Sequence, residues 1–126
     1  MYCLEGRVKV ALLHMRAEEL KGHLDALLLA ALEGGPRHGY AVIEALRTDS
    51  GGRLDLPTGT IYPALRRLEQ AGLIAGSWSV VAGRRRRCYR LTAAGQRALA
   101  GRRAAWREFA ATVSAVLEGG PCPDPA

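Results

Sequence analysis

Between Gly59 and Ile74 the chain reads Gly-Thr-Ile-Tyr-Pro-Ala-Leu-Arg-Arg-Leu-Glu-Gln-Ala-Gly-Leu-Ile, and this stretch narrows the choice of folds more than any other. Ile61, Leu65 and Leu68 recur at helical spacing, so a short helix would turn them inward together. Thr60, Tyr62, Pro63, Arg66 and Arg67 are left looking outward. Gly72 closes the helix, and Leu73-Ile74 opens a strand. A slim helix that shows hydroxyls and guanidiniums suits a DNA major groove, which is wide enough to admit it. The same pattern suits an ordinary amphipathic surface helix, and the residues that follow help to separate the two.

A basic hairpin comes next. Leu73 to Val81 is rich in Ile, Trp and Val, residues that fit a pleated surface. Ala82-Gly83 reads as the turn, and Arg84-Arg85-Arg86-Arg87-Cys88-Tyr89-Arg90-Leu91 as the return strand. Alternation puts Tyr89 and Leu91 on one face, with Cys88 and Arg90 on the other. The arginine run sits at the tip, where like charges repel unless something anionic lies opposite. Arginine matches phosphate oxygens through its planar fork of donors. The hairpin therefore looks like a wing on a phosphate backbone, against the plainer alternative of a solvated tip.

Composition agrees with that direction without naming the partner. The chain has 126 residues and a net charge of +6, enough length for one domain with a core and a bias towards an anionic partner. Sixteen of the eighteen cations are Arg, only Lys9 and Lys21 being Lys. The longest apolar stretch, 24–32, is interrupted by Asp25 and falls short of the ~20 residues a membrane span needs. With no recognisable leader peptide, a cytoplasmic protein without membrane contact is expected. Cys3, Cys88 and Cys122 are scattered and share no ligand spacing with His14, His23 and His38, so no metal site or disulfide framework is expected. Cys88 is open between an oxidation sensor and a small apolar filler. Nor is there a nucleophile–base pair, a glycine-rich phosphate loop after a strand or a carboxylate cluster; the chain does not read as an enzyme, and no cofactor is expected.

Residues 1–17 form an N-terminal extension, open between a helix packed on a partner and an over-long start before Met15. From about Glu18, Leu20, Leu24, Leu27, Leu28, Ala31 and Leu32 make a helical stripe stopped by Gly34-Gly35-Pro36. A second helix opens at His38-Gly39-Tyr40, runs to about Arg47 and buries Val42, Ile43 and Leu46. Thr58 or Thr60 caps the third helix. With Thr60, Pro63 stands in the first turn, where its missing N–H costs nothing; with Thr58 it breaks one bond. Thr92 caps a last helix running to about Glu118, and residues 119–126 read as a flexible tail.

That last helix carries a seam of Leu99, Trp106, Phe109, Val113 and Val116, joined by Leu117. In a monomer such a stripe would face water; a partner helix covers it, and folding back on the first helix is the competing solution. The expected architecture is mainly α with a small β-hairpin: a winged helix-turn-helix over 18–92 and a long C-terminal dimerisation helix over 93–118. Leu20 and Leu24 join Leu99, Trp106, Phe109, Val113, Val116 and Leu117 in the expected dimer interface.

Four pieces, in this order, resemble the PadR-like transcriptional regulators. They are residues 21–29 (Lys-Gly-His-Leu-Asp-Ala-Leu-Leu-Leu) and 35–40 (Gly-Pro-Arg-His-Gly-Tyr), then 59–69 with Gly72-Leu73-Ile74, and Arg87-Cys88-Tyr89-Arg90-Leu91-Thr92 with Gly95. The likeness spans about 18–118, and the single C-terminal helix resembles the smaller subfamily. It implies a homodimeric, sequence-specific repressor of double-stranded DNA. It also implies Tyr40 near a phosphate, Thr60, Tyr62 and Arg66 in the groove, and Arg86 or its neighbours on the wing. With the outward residues above, the expected DNA-binding set is Tyr40, Thr58, Thr60, Tyr62, Pro63, Arg66, Arg67, Arg84, Arg85, Arg86 and Arg87. The family shape further implies a cavity between the long helices, where Trp106 is open between a stacking wall for a flat aromatic effector and simple dimer packing. A winged-helix module that binds protein, without sequence-specific DNA binding, is the alternative function.

Overall fold

The computed structural model describes Leu20 and residues 22–119. Its helices are α1 (Leu24–Ala31), α2 (Gly39–Asp49), α3 (Thr58–Gln70) and α4 (Ala93–Leu117), and its strands β1 (Arg37–His38), β2 (Ile74–Val81) and β3 (Arg84–Leu91). The expected N-terminal extension and most of the expected tail lie outside the described residues.

The helices form because each has one stripe to hide. In α3, Ile61, Ala64 and Leu65 are fully buried and Leu68 nearly so, against Leu28, Leu29, Val42 and Leu46 from α1 and α2. Burying each of the large aliphatic side chains contributes about 1.5–3 kcal/mol. Helix α2 is capped by the His38 side chain, which accepts a hydrogen bond from the Ala41 amide at 3.4 Å. Thr92 caps α4 as its sequence suggests, accepting from the Gly95 amide at 3.0 Å while its hydroxyl donates to the Gly72 carbonyl at 2.7 Å. A methyl on Gly95 would collide with the Leu73 carbonyl, so only glycine lets α4 start against the base of β2. The long helix and the hairpin thus leave the body at one tight junction.

The hairpin is as expected in place and turn. β2 and β3 pair antiparallel from Ile74 with Leu91 out to Val81 with Arg84, leaving a two-residue loop. Ala82 and Gly83 both take positive φ, 52° and 78°, the mirror-image turn that matches strand twist.

Three local expectations are corrected. First, the sheet has a third strand. β1 pairs antiparallel with β3, Arg37 opposite Tyr89 and His38 opposite Cys88, giving the order β1-β3-β2. Two residues carry no periodicity, so a strand this short is made by the neighbour it pairs with. Second, the stripe from Leu20 is not one helix, because Gly22 at φ 84° separates Leu20 from α1. Third, neither Thr58 nor Thr60 caps α3: Pro57 does, without a side-chain bond, and both threonines lie in the first turn. Pro63 therefore falls inside the helix and deprives the Gly59 carbonyl of its partner, the costlier of the two alternatives.

Candidate nucleic-acid interface

The outer face of α3 and the hairpin stand side by side. Thr58, Thr60, Pro63, Arg66 and Arg67 are exposed, and so are Arg84 and Arg85 near the tip; Arg86 and Arg87 are half-buried. Tyr40, at the start of α2, is 60% exposed. Between wing and helices lies an open cleft of about 380 Å³, lined by His38, Gly39, Tyr40, Tyr62, Trp78, Tyr89 and Arg84 to Arg87.

Tyr62 is seated by an absence. A Cβ on Gly39 would overlap the outer edge of the Tyr62 ring, so the two residues share one space. Burial raises the Tyr62 phenol above its usual pKa, with the neighbouring Tyr40 adding to the effect and Arg86 opposing it. Burial likewise raises Tyr89, against the opposing charge of Arg87. Both phenols stay neutral at working pH and can donate a hydrogen bond.

Two of the expected DNA-binding arginines are engaged within the protomer. Arg67 bridges to Asp25 on α1 at 3.2 Å while its side chain stays 59% exposed. Arg87 is ion-paired with Glu69 on the last turn of α3 and stands 5.4 Å from the Trp78 ring centre. Arg85 lies over the same ring at 4.6 Å. Glu69, Gly39 and Trp78 belong to this surface without being marked as site residues by the sequence pattern. The available signal was the hairpin register, which sets Trp78 directly opposite Arg87.

A second surface belongs to α4. Leu99 is 3% exposed and Leu20 7%, both inside the protomer's own core, which corrects their assignment to the dimer interface. Leu24 and Val113 are half-buried. Over the seven-residue step after Leu99, two turns or about 10 Å, α4 lies across α1. Arg103 grips Glu33, just past the C-terminal end of α1, with two bonds of 2.7 and 2.8 Å, while at the N-terminal end of α1 Arg102 donates to the Gly22 carbonyl at 3.0 Å and Trp106 meets His23 edge-on at 5.4 Å. The fold-back alternative therefore holds for this part of α4. Further along, Trp106, Phe109, Val116 and Leu117 are 53–78% exposed. Trp106 and Phe109 also wall a groove of about 730 Å³ against Leu27, Ala30 and Leu54.

Among the described residues no cluster of His, Cys, Asp or Glu could hold a metal ion, and no helix is long and apolar enough to cross a membrane.

Comparison with known proteins matches this geometry. The model of the "Transcriptional regulator PadR-like family" covers residues 28–101. Transcriptional regulator Rv3488 of Mycobacterium tuberculosis is 43% identical over 77 residues, which is 61% of this chain and 59% of that protein. The "Uncharacterized protein X" of Lysinibacillus sphaericus is 26% identical over 106 residues, 83% of this chain and 97% of that protein. Among solved structures, a PadR family transcriptional regulator from Eggerthella lenta superimposes with a TM-score of 0.71 at 31% identity, covering 94% of this chain and 98% of its own. The PadR-like transcriptional regulator of Bacillus cereus gives 0.70 at 26% identity, covering 80% and 97%.

Proposed function

The chain belongs to the PadR-like family of transcriptional regulators, and on that footing we propose that it is a homodimeric repressor of one double-stranded operator, released by a small flat aromatic effector. It is a DNA-binding regulator with a winged-helix fold, and it is not an enzyme. What remains to be assigned is which surfaces do what.

The observation that carries the reading is the division of α3: one face fully buried, the other showing Thr60 and Arg66 beside the exposed Arg84 and Arg85. In this reading Thr60, Tyr62 and Arg66 face base edges, with Thr58 and Pro63 at the groove wall. Tyr40, Arg84, Arg85 and Arg86 meet phosphates, which supply most of the affinity, while the few groove contacts supply sequence choice. The uncovered turns of α4, from Trp106 to Leu117, supply the dimer contact. Two protomers would then set their recognition helices about 34–36 Å apart, one turn of DNA.

The effector part rests on the groove beside Trp106. Its volume of about 730 Å³ lies in the size class of small-molecule sites, and Trp106 and Phe109 stand 6.0 Å apart as an aromatic wall. An effector bound there favours one spacing of the two protomers and so shifts the population away from the DNA-competent one.

Selection from a random duplex library tests the central claim. The expected result is an enriched inverted repeat with half-sites about 10 bp apart. Its affinity should fall with salt on a log–log slope steeper than about −2. Return of no motif would overturn the reading in favour of a protein-interaction module.

A further inference from the structure

The hairpin register gives each face of the wing a fixed membership. Gly76 pairs with Tyr89, Trp78 with Arg87 and Val80 with Arg85, so these six side-chain positions share one face. Tyr89 is 6% exposed on that face, which identifies it as the side turned to the helices. From Ser77 outward β2 is exposed throughout. A two-stranded ribbon standing free is only marginally ordered by itself.

An ion pair links this outer ribbon to the recognition helix. Arg87 forms an ion pair with Glu69, both side chains about 30% exposed, the only such pair between wing and body among the described residues. The space for it exists because position 76 has no side chain. A Cβ there would stand 2.8 Å from both the Arg87 Nη2 and the Glu69 Oε2 atoms. Further along the same face towards the tip, the Arg87 guanidinium is 5.4 Å and the Arg85 guanidinium 4.6 Å from the centre of the Trp78 ring. Glu69, Arg87, Trp78 and Arg85 thus form a continuous chain of charge–charge and cation–π contacts from α3 to the wing tip. Glu69 lies three residues beyond Arg66, on the same side of α3.

A carboxylate beside a DNA-facing arginine opposes binding on Coulomb grounds alone. Its presence is explained if it holds something in place. We propose that Arg87 is a positioning residue, not a phosphate contact: through Glu69 and Trp78 it fixes the wing's angle to the recognition helix, so that Arg66 and Arg85 address the duplex together. This rests on the DNA-binding reading above, and it separates Arg87 from the other three arginines of the run.

Operator titrations of full-length Glu69→Gln, Arg87→Gln, Arg87→Lys and the double Glu69→Gln/Arg87→Gln variant provide the test. Positioning predicts that Glu69→Gln weakens specific binding about five- to ten-fold although it removes a negative charge, the size expected for a coupled pair. Arg87→Gln loses as much with an unchanged salt slope, the double variant is no worse than either single one, and Arg87→Lys recovers most of the affinity. A phosphate contact predicts the reverse: Glu69→Gln binds as tightly or more tightly, and Arg87→Gln lowers the slope by about 0.9. A readout without DNA accompanies these. In a Trp106→Phe background Trp78 is the sole tryptophan, and its fluorescence anisotropy should fall on Glu69→Gln and on Arg87→Gln and be largely retained on Arg87→Lys. Unchanged anisotropy overturns the proposal. Should the wild-type protein select no operator, the DNA reading fails, and the anisotropy still decides whether the wing is held.

Discussion

Replacing Gly39 by Ala adds one methyl group and isolates the seating of Tyr62. Gly39 opens α2, where Ala is the better helix former by about 0.5–1 kcal/mol. The new Cβ would overlap Cε1, Cζ and Oη of Tyr62, the far end of a two-torsion side chain, so the ring is what must yield. Swinging out, a half-buried phenol ring gives up roughly half of the 1.5–3 kcal/mol that a large apolar side chain gains on burial. The gain in helix propensity offsets most of that, and the thermal midpoint should move by less than about 4 °C. Operator binding has no such compensation. With Tyr62 in the groove as proposed, displacing it costs about 1–2 kcal/mol, a five- to thirty-fold loss in affinity. Fluorescence anisotropy with labelled operator, alongside thermal unfolding, measures both quantities. In a Tyr62→Ala background the same methyl has empty space to occupy, so Gly39→Ala should leave affinity there unchanged. An equal loss in both backgrounds, or no loss in the first, would refute the shared-space argument.

Three further outcomes are expected. Phe109→Asp with Val116→Asp places charges on exposed positions of α4; light scattering should report a monomer at micromolar concentration with the protomer's circular dichroism intact, and a persisting dimer would remove α4 from the interface. Pro63→Ala restores the amide that the Gly59 carbonyl lacks, so unfolding should show a gain of about 1–2 kcal/mol, the interior-proline cost less the entropy proline removes from the unfolded chain; since Pro63 is exposed, a loss of stability would refute this account. The Glu33 carboxyl is held below its ordinary value of 4.5 by the hydrogen bond from Arg103 and by that residue's charge, against the opposing effect of desolvation. A depressed carboxylate adds stability above its unfolded pKa and loses it as pH falls through the folded one. Wild type should therefore lose more stability than Arg103→Gln between pH 5 and the acid transition, roughly the window set by carboxylate titration, and parallel pH profiles would count against the bridge.

Much of the fold follows from short-range pattern. The stripe Ile61, Leu65, Leu68 specifies α3 and its inner face, because helical spacing and apolar character together leave one orientation that hides them. Ala82-Gly83 specifies the two-residue turn, since positive φ at two successive positions is what a tight hairpin needs. Thr92 places the start of α4 through its own hydroxyl. These are interactions within a few residues, and the chain determines them alone.

Long-range pairing decides the rest. β1 exists because β3 passes beside Arg37 and His38; the residues themselves have no strand preference to read. Arg67 and Arg87 look as free in sequence as Arg66 and Arg85, and only the docking of α1 and of the wing brings Asp25 and Glu69 within reach of them. Leu99 and Trp106 share one stripe, yet Leu99 is sealed in the core while Trp106, met on one side by His23, stays 53% exposed. Periodicity states which side of a helix is apolar. Where the neighbouring element stops is a property of the assembled molecule, and that boundary separates the arginines and aromatics that hold the fold from those left to meet a partner.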